Sequence, residues 1–272
     1  MTFIVTLITL LVERFFDWSH LRYWGWYSLY QDKIAQKTPP HPYIILACTV
    51  LPLLIVIGLL QFLFKDMVYG VIELLFQIII VLYCLGPKNL WADAFASMNA
   101  LASNDKQAAV EKLKIHFGLV DVDASSSLHA SFVSRIFIEA NNRVFAPLFW
   151  FVVLGPIGIV LYRLISLSAI SEKANVSHEA HLIKTILDWI PARLMSLLFV
   201  FGKQYVSVFG VFCQKALTGL ENNEIVLAEC GTVAIVNEEK ATDETFAEKI
   251  ALTLLDRTFV IWLILVAIIW II

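Results

Sequence analysis

Residues 43–64 constrain the fold of this chain more than any other feature, because they form an apolar stretch without a charged side chain. About 20 such residues are enough for a helix to cross the hydrocarbon core of a bilayer. Helices satisfy all of their backbone hydrogen bonds internally, as lipid requires, and the amphipathic segments elsewhere in the chain also show helical spacing. The sequence therefore predicts an all-α membrane protein.

The composition agrees with a membrane location. Hydrophobic residues make up 59% of the chain and charged residues 16%, and the mean hydropathy is +0.77. Ordinary soluble domains are about 45–50% apolar and about 25% charged. The formal net charge of −3 comes with no basic tract, which argues against nucleic acid as a partner. The partner that the composition predicts is the lipid bilayer.

Apolar runs recur along the chain and predict about six membrane segments, that is, a polytopic protein. Glu13-Arg14 follows the first run, for which a cleaved signal peptide is the alternative to a membrane or half-buried helix. No basic residue precedes that run and no small residues follow it, which favours the uncleaved helix. Glu73 lies inside a later run and should have a partner, because a lone carboxylate is costly at membrane depth. The runs are residues 3–12, 43–64, 67–85, 144–165, 195–211 and a C-terminal run that ends at residue 272.

One of these segments is expected to be a broken helix. Residues 144–165 contain Pro147 and the pair Gly155-Pro156. A proline inside a helix removes a backbone hydrogen bond and clashes with the preceding turn. The freed backbone groups must then be covered by protein or water, so we expect neighbouring helices or a cavity here.

A long polar region, residues 86–143, separates the third run from the fourth. Apolar residues at helical spacing predict amphipathic helices at 88–103 and 105–117, with Asn104 as the N-cap between them, and a third helix from Ser127. Because lysine and arginine are frequent here, the positive-inside rule places this helical subdomain in the cytoplasm.

The second half of the chain continues the alternation of polar and apolar segments. Ser177 is a suitable N-cap for an amphipathic helix at 178–190, which leads through Pro191 into the next apolar run. Residues 213–257 are polar, show no clear motif and have an expected turn at 221–224. We interpret the chain as a single membrane domain with four parts, namely an N-terminal helix and hairpin (1–85), the polar helical region (86–143), a membrane core (144–212) and a polar connection with a C-terminal membrane helix (213–272).

Aromatic residues crowd the connection between the first two runs. Trp24, Trp26, Tyr27 and Tyr30 are among them. Tryptophan and tyrosine favour the headgroup zone because their rings are apolar and their tips polar. An aromatic face packed against protein is the alternative.

Polar side chains lie just before the broken helix. Arg135, Glu139 and Arg143 are spaced four apart, so they share a helix face on which Glu139 pairs with either arginine, and Asn142 lies on a neighbouring strip. A solvated ladder of charges is the alternative to a binding site. Arginine at the mouth of an apolar region is suited to an anionic ligand, which is the interpretation that we carry forward.

A second polar cluster surrounds Pro191. Asp188 and Arg193 flank this proline, although Arg193 could simply stack on Trp189 four residues earlier. We expect this cluster and the one before the broken helix to meet at a membrane surface. The candidate ligand-binding residues are Glu139, Asn142, Arg143, Arg163, Asp188 and Arg193.

No catalytic or metal-binding motif accompanies these residues. His178 and His181 lack the i,i+4 spacing of a zinc helix, and the four cysteines have no metal-type spacing. A glycine-rich phosphate loop and a nucleophile motif are also missing from the sequence. We therefore assign no catalytic residue, no metal and no cofactor, although a nucleotide remains compatible as the anionic ligand.

Several motifs resemble a known superfamily. They are Phe145-Ala146-Pro147-Leu148-Phe149-Trp150, Gly155-Pro156-Ile157-Gly158, Tyr162-Arg163 and Asp188-Trp189-Ile190-Pro191-Ala192-Arg193-Leu194. In this order they resemble the superfamily that joins the AmpE regulators to the cobalamin-biosynthesis membrane proteins CobD/CbiB. The layout is similar to AmpE from end to end, including the N-terminal Leu-Val-Glu-Arg-Phe.

The resemblance to the enzyme branch is weaker. Its members carry Ala-Glu-Asn, three residues and Asp-Gly before Ala-Pro-Leu-Phe-Trp, whereas residues 138–143 here read Ile-Glu-Ala-Asn-Asn-Arg. The change removes acidic residues that an ATP-dependent ligase would use for magnesium. The resemblance therefore implies a regulator of β-lactamase induction and cell-wall recycling in the inner membrane of Gram-negative bacteria. An ATP-dependent amide ligase acting on a cobamide precursor is the alternative, and a transporter is less favoured because the sequence shows no inverted repeat.

Overall fold

The structure is a computed structural model, and within the residues it describes the chain is helical without any strand. This confirms the predicted all-α class. The described residues are 1–16, 22–39, 41–65, 70–86, 88–102, 106–119, 127–171, 174–202, 204–217, 219–235 and 246–271. The helices are α1 Thr2–Phe15, α2 Gly25–Lys37, α3 Pro42–Phe64, α4 Val71–Cys84, α5 Leu90–Ala102, α6 Lys106–Phe117, α7 Ser127–Ala140, α8 Ala146–Leu154, α9 Pro156–Ile170, α10 Ala174–Leu198, α11 Tyr205–Lys215, α12 Asn223–Ile235 and α13 Phe246–Ile271.

Three helical stretches of the described chain are long and apolar enough to cross a bilayer, Pro42–Phe64, Leu128–Leu154 and Ala247–Trp270. Val71–Cys84 and Pro156–Ile170 are shorter apolar helices. These stretches confirm a helical membrane protein, while the expected six crossings stay a prediction. Glu73 has the partner that its position demands, because Gln77 Nε2 donates a hydrogen bond to its Oε1 over 3.0 Å.

The long stretch in the middle of the chain begins earlier than the apolar run suggests. It includes all but the first residue of α7, which was assigned to the polar region from the sequence. The helix has a buried apolar face, which consists of Leu128, Phe132, Val133, Ile136, Phe137, Ile138 and Ala140. Asn141–Phe145 form a π-helical turn between α7 and α8. Pro147 follows that turn, and a residue without an N–H group favours such local widening of a helix. The predicted N-cap Asn104 lies outside the described residues.

The expected break in the membrane helix is present at Gly155. This glycine has φ +68° and ψ −154°, a conformation that side-chain-bearing residues rarely adopt, and Pro156 then starts α9. Gly158 is also required, because a Cβ there would lie 2.3 Å from the carbonyl oxygen of Trp150. The two glycines therefore let α8 and α9 pack closely around the break.

The expected helix at 178–190 with Ser177 as its N-cap is wrong at both ends. The helix α10 begins at Ala174 and continues through Pro191 to Leu198. Proline at position 191 deprives the carbonyl of Leu187 of its usual donor. The indole Nε1 of Trp150 donates to that carbonyl over 3.1 Å, which satisfies the group and lets the helix continue.

The chain forms two compact units, described here one at a time. Unit 1 comprises Met1–Pro87 and Ala146–Asp188, and unit 2 comprises Lys88–Phe145 and Trp189–Ile272. In unit 1, α9 packs against α3 and α4, and α1 packs against α4. In unit 2, α7 packs against α12 and α13. The sequence analysis did not predict α12, because its buried face lies in a segment that reads as polar overall.

Candidate functional site

Arg143 is the centre of a buried polar site in unit 2. Its Nε donates to Glu139 Oε2 over 2.7 Å, and its Nη1 donates to Asp93 Oδ2 over 2.7 Å. Its Nη2 donates to the backbone carbonyl of His116. The guanidinium Cζ also lies 5.5 Å from the ring centroid of Phe117. The π-helical turn thus presents Arg143 to α5, α6 and α7 together.

The ion pairs continue from this centre towards the surface. Arg135 Nη2 lies 3.0 Å from Glu139 Oε1, so Glu139 bridges two arginines, as the four-residue spacing predicts. Arg135 Nη1 lies 3.4 Å from Glu224 Oε2, whose side chain is 59% exposed. We name this set the Arg143 network; its members are Asp93, His116, Arg135, Glu139, Arg143 and Glu224.

Asp93 and His116 are members that the sequence analysis missed. His116 Nδ1 lies 2.8 Å from Asp93 Oδ1, in a direction that does not make a hydrogen bond. A signal for Asp93 was present in the sequence, because it is the one charged residue within Leu90–Ala102. A lone carboxylate on an apolar helix needs a partner when the helix is buried.

Arg193 is held at the start of α12, also in unit 2. Its Nε donates to the carbonyl of Ala216 over 2.8 Å, and its Nη1 donates to Asn223 Oδ1 over 2.5 Å. The guanidinium Cζ lies 4.5 Å from the ring centroid of Trp189, so the stacking that we considered as an alternative occurs. Burial lowers the pKa of Arg193 from its usual value. Asn223 precedes Glu224 in sequence, so Arg193 adjoins the exposed end of the Arg143 network.

Asp188 and Arg163 belong to unit 1. Tyr162 donates its hydroxyl to Asp188 Oδ1 over 2.7 Å, and Lys184 Nζ donates to Asp188 Oδ2 over 2.5 Å. Arg163 follows Tyr162 in sequence and is buried, with its Cζ 5.8 Å from the ring centroid of Trp24. Because these residues and Arg193 fall in different units, the expected meeting of the two polar clusters stays a prediction.

The candidate residues in unit 2 are therefore brought together. Glu139 and Arg143 are in direct contact, Arg193 adjoins the end of their network, and Asn142 lies half-buried in the same π-helical turn as Arg143. The ion pairs of Arg135 and Arg143 each join a guanidinium group to a carboxylate. Such a site is suited to binding a charged ligand. It is less suited to proton abstraction, which needs a base that can accept a proton.

The two carboxylates beside Arg143 do not offer free ligands for magnesium. Magnesium prefers carboxylate oxygens that are not already neutralised. Asp93 and Glu139 both bind the guanidinium group of Arg143. In the described part of the chain, no group of three or more His, Cys, Asp and Glu residues has the arrangement of a metal site.

Comparison with known proteins gives a family match. The family described as "CobD/Cbib protein" matches residues 18–228. A cobalamin biosynthesis protein CobD of Chromobacterium violaceum is 31% identical over 140 residues, which cover 47% of this chain and 44% of the relative. One of the same name from Stutzerimonas stutzeri is 32% identical over 134 residues, which cover 45% and 43%. The aligned part thus covers less than half of each relative, and no solved structure matches.

Proposed function

This chain belongs to the CobD/CbiB protein family, and we propose that it is an AmpE-like regulatory protein of the bacterial inner membrane. In this proposal it binds an anionic ligand and affects β-lactamase induction and cell-wall recycling. The observation that carries the proposal is the pairing of Asp93 and Glu139 with Arg143. Glu139 and Arg143 lie in the region where the enzyme branch carries its Asp-Gly block, while Asp93 comes from α5.

The pairing argues for binding rather than ligation. An ATP-dependent ligase needs carboxylates that hold magnesium against the phosphates. In this chain Arg143 is the positive partner of both Asp93 and Glu139. A guanidinium group instead recognises carboxylate or phosphate through parallel N–H donors.

The donor count of Arg143 leaves capacity for a ligand. Arginine has five N–H donors, and the contacts with Glu139, Asp93 and His116 use three of them. The proposed ligand-binding residues of unit 2 are Glu139, Asn142, Arg143 and Arg193, while Arg163 and Asp188, which belong to unit 1, stay candidates from the sequence. A nucleotide or a muropeptide-related molecule has the negative groups that such a set would bind.

The test is genetic and uses the full chain in its own host. Deletion of the gene is expected to change β-lactamase induction and β-lactam tolerance, and the wild-type chain is expected to restore both. Arg143→Lys should fail to restore them while reaching the membrane in normal amount, because lysine lacks the planar fork of donors. Arg257→Lys is the matched control, since Arg257 lies exposed on α13, and it should restore both. A deletion without any effect on induction or tolerance would rule the proposal out.

An ATP-dependent amide ligase acting on a cobamide precursor is the second candidate. The comparisons support this candidate more directly than the regulator, because both relatives are named for cobalamin biosynthesis. The assay is turnover of cobyric acid with an aminoalcohol phosphate and magnesium–ATP by the purified protein. Turnover that Arg143→Lys abolishes and Arg257→Lys leaves intact would establish the ligase and overturn the regulatory proposal.

A further inference from the structure

The exposed end of the Arg143 network is built around Arg135. The Nε of Arg135 donates to the carbonyl of Phe117 over 2.8 Å, and its Nη2 lies 3.0 Å from Glu139 Oε1. Phe117 is the last residue of α6, and Glu139 is also bound by Arg143. The guanidinium group of Arg135 is therefore held on two sides by groups that do not depend on Glu224.

Glu224 is the weakest of the three partners of Arg135. Its Oε2 lies 3.4 Å from Nη1, whereas hydrogen bonds between oppositely charged groups are usually about 2.7–2.9 Å long. The side chains of Arg135 and Glu224 are 27% and 59% exposed. Such exposed ion pairs contribute little stability, because water solvates the carboxylate when the pair separates. Another anion can therefore replace Glu224 at little cost.

The donors of Arg135 suit an anion that offers two oxygens. Arginine has five N–H groups, and the contacts with Phe117, Glu139 and Glu224 use one each on Nε, Nη2 and Nη1. The two Nη atoms form the end of a planar fork, which binds two oxygens of one carboxylate or phosphate group at once. Glu224 contacts this end through one oxygen only. A ligand with two oxygens in the same place therefore gains a contact that Glu224 does not make.

The charges of the network also set Glu224 against an incoming anion. Arg135 and Arg143 carry two positive charges, while Asp93, Glu139 and Glu224 carry three negative ones. An anion that arrives while Glu224 is in place meets an excess of negative charge, which repels it. A monovalent anion that takes the place of Glu224 leaves the charge balance of the network unchanged. Replacement is therefore favoured over simple addition.

We propose that Glu224 is an internal competitor, which occupies the place where an anionic ligand first contacts the Arg143 network. The ligand group is a carboxylate or a phosphate, and it binds Nη1 and Nη2 of Arg135 after Glu224 has turned into solvent. This inference rests on the proposed anion binding and deepens it. It adds Arg135 to the ligand-binding residues and assigns to Glu224 the role of limiting the affinity.

The experiment measures anion binding by the purified full-length protein. The protein is placed in nanodiscs of phosphatidylcholine, whose headgroup has no net charge. Inorganic phosphate and sodium acetate are titrated separately, with sodium chloride at the same ionic strength as the reference. The midpoint of thermal unfolding reports the affinity, because a ligand that binds the folded state raises it. We expect a rise above the chloride reference, and the anion with the larger rise identifies the ligand group as phosphate or carboxylate.

The first comparison changes the competitor itself. Glu224→Gln removes its charge and should tighten anion binding by about threefold to fivefold, the range of an exposed ion pair. Glu221→Gln is the matched control, because Glu221 is also exposed, lies three residues earlier and is outside the network. It removes the same charge from the chain, and screening should keep its effect at about twofold or less.

The second comparison tests whether Glu224 acts through Arg135. Arg135→Met removes the fork and should weaken anion binding by about tenfold or more, as expected for hydrogen bonds to a charged group. In this background Glu224→Gln should have no further effect, because the competitor has lost the group for which it competes. An effect of overall charge would persist in the double variant. The comparison of Glu224→Gln with Glu221→Gln does not depend on the folding of Arg135→Met.

The proposal is overturned if Glu224→Gln and Glu221→Gln bind with the same affinity. It is also overturned if neither anion raises the unfolding midpoint of Glu224→Gln above the chloride reference. If Glu224→Gln binds as the wild type does while Arg143→Lys abolishes binding, the competition is wrong but anion binding at Arg143 stands. The regulatory function is decided separately by the genetic test, which measures induction and tolerance.

Discussion

The buried arginines of the two units, Arg22 and Arg143, use the same chemistry in different surroundings. Arg22 shares one carboxylate, Glu13, and one backbone carbonyl. Arg143 shares two carboxylates and one backbone carbonyl, and those carboxylates have further partners in Arg135 and His116. The number of neighbouring charges, rather than burial alone, therefore decides how much stability the protein loses when one charged group is removed.

The two clusters also differ in their exposure to solvent. The Arg22–Glu13 pair is enclosed, while the Arg143 network ends at Glu224, which is 59% exposed. The two charges of a buried pair are strongly coupled, since removing one partner leaves the other charge buried without that partner. When one group is removed from a network with an exposed end, the remaining groups keep other partners. Such a network is suited to exchanging one of its contacts for a contact with a charged ligand.

The largest effect on stability is expected in the enclosed Arg22–Glu13 pair. Glu13→Ala leaves the Arg22 guanidinium buried without its carboxylate, and it should lower the free energy of unfolding by about 3–5 kcal/mol. The measurement is reversible unfolding by dodecyl sulfate in mixed micelles without phosphate. The double variant Glu13→Ala with Arg22→Met is the control and should recover much of the loss. A loss below about 1 kcal/mol for the single variant would show that the two pairs do not differ as argued.

A smaller effect is expected at the centre of the network. Arg143→Met removes three donor contacts, but Glu139 retains Arg135 and Asp93 retains His116. We expect a loss of about 2–3 kcal/mol in the same unfolding assay, below the value for a fully orphaned pair. Combining Arg143→Met with Arg135→Met should cost more than the sum of the single variants. Additive costs would mean that the network does not redistribute its contacts.

The imidazole of His116 should contribute less to the stability of the protein than Arg143 does. His116→Ala removes the contact between Nδ1 and Asp93, whereas the backbone carbonyl of His116 still accepts from Arg143. The free energy of unfolding should fall by about 1 kcal/mol, the upper end of the range for a contact between partly exposed ionisable groups. His129→Ala serves as the control because His129 contacts Glu248 instead, and only His116→Ala should show coupling with Arg143→Met in a double-variant cycle. Coupling of equal size for both histidines would contradict the assignment of His116 to the network.

The smallest effect is expected at the exposed end. Glu224→Gln breaks a contact of 3.4 Å at a side chain that is 59% exposed, so solvent replaces the lost partner. The free energy of unfolding should change by no more than about 1 kcal/mol, and less at high salt. A loss comparable to that of Glu13→Ala would remove the distinction between the open network and the enclosed pair.

Much of the site was predictable from local spacing. The contact between Glu139 and Arg143 follows from their positions four residues apart on one helix, and Gly155-Pro156 predicted the break between α8 and α9. Asp93 and His116 were not predicted, because their contacts join helices that are far apart in sequence. The four-residue spacing of Arg135, Glu139 and Arg143 does not indicate which carboxylate from another helix contacts Arg143.

Pro191 shows the same limit of prediction from local sequence, here for the end of a helix. Local rules predict an interruption there, since proline leaves the carbonyl of Leu187 without a donor. Trp150, distant in sequence, supplies the donor and α10 continues. Only the tertiary structure decides whether a distant residue supplies the missing hydrogen-bond donor.

The sequence by itself determined the helical membrane class, the position of the break at Gly155 and the family. These follow from apolar length, backbone geometry and ordered motifs, all of which are properties of contiguous residues. The tertiary structure decided which charges are paired, because Asp93 reaches Arg143 and Arg22 reaches Gly86 only after the helices pack. Pairing of buried charges is set by distance in space, and that distance is not written in the spacing of residues along the chain.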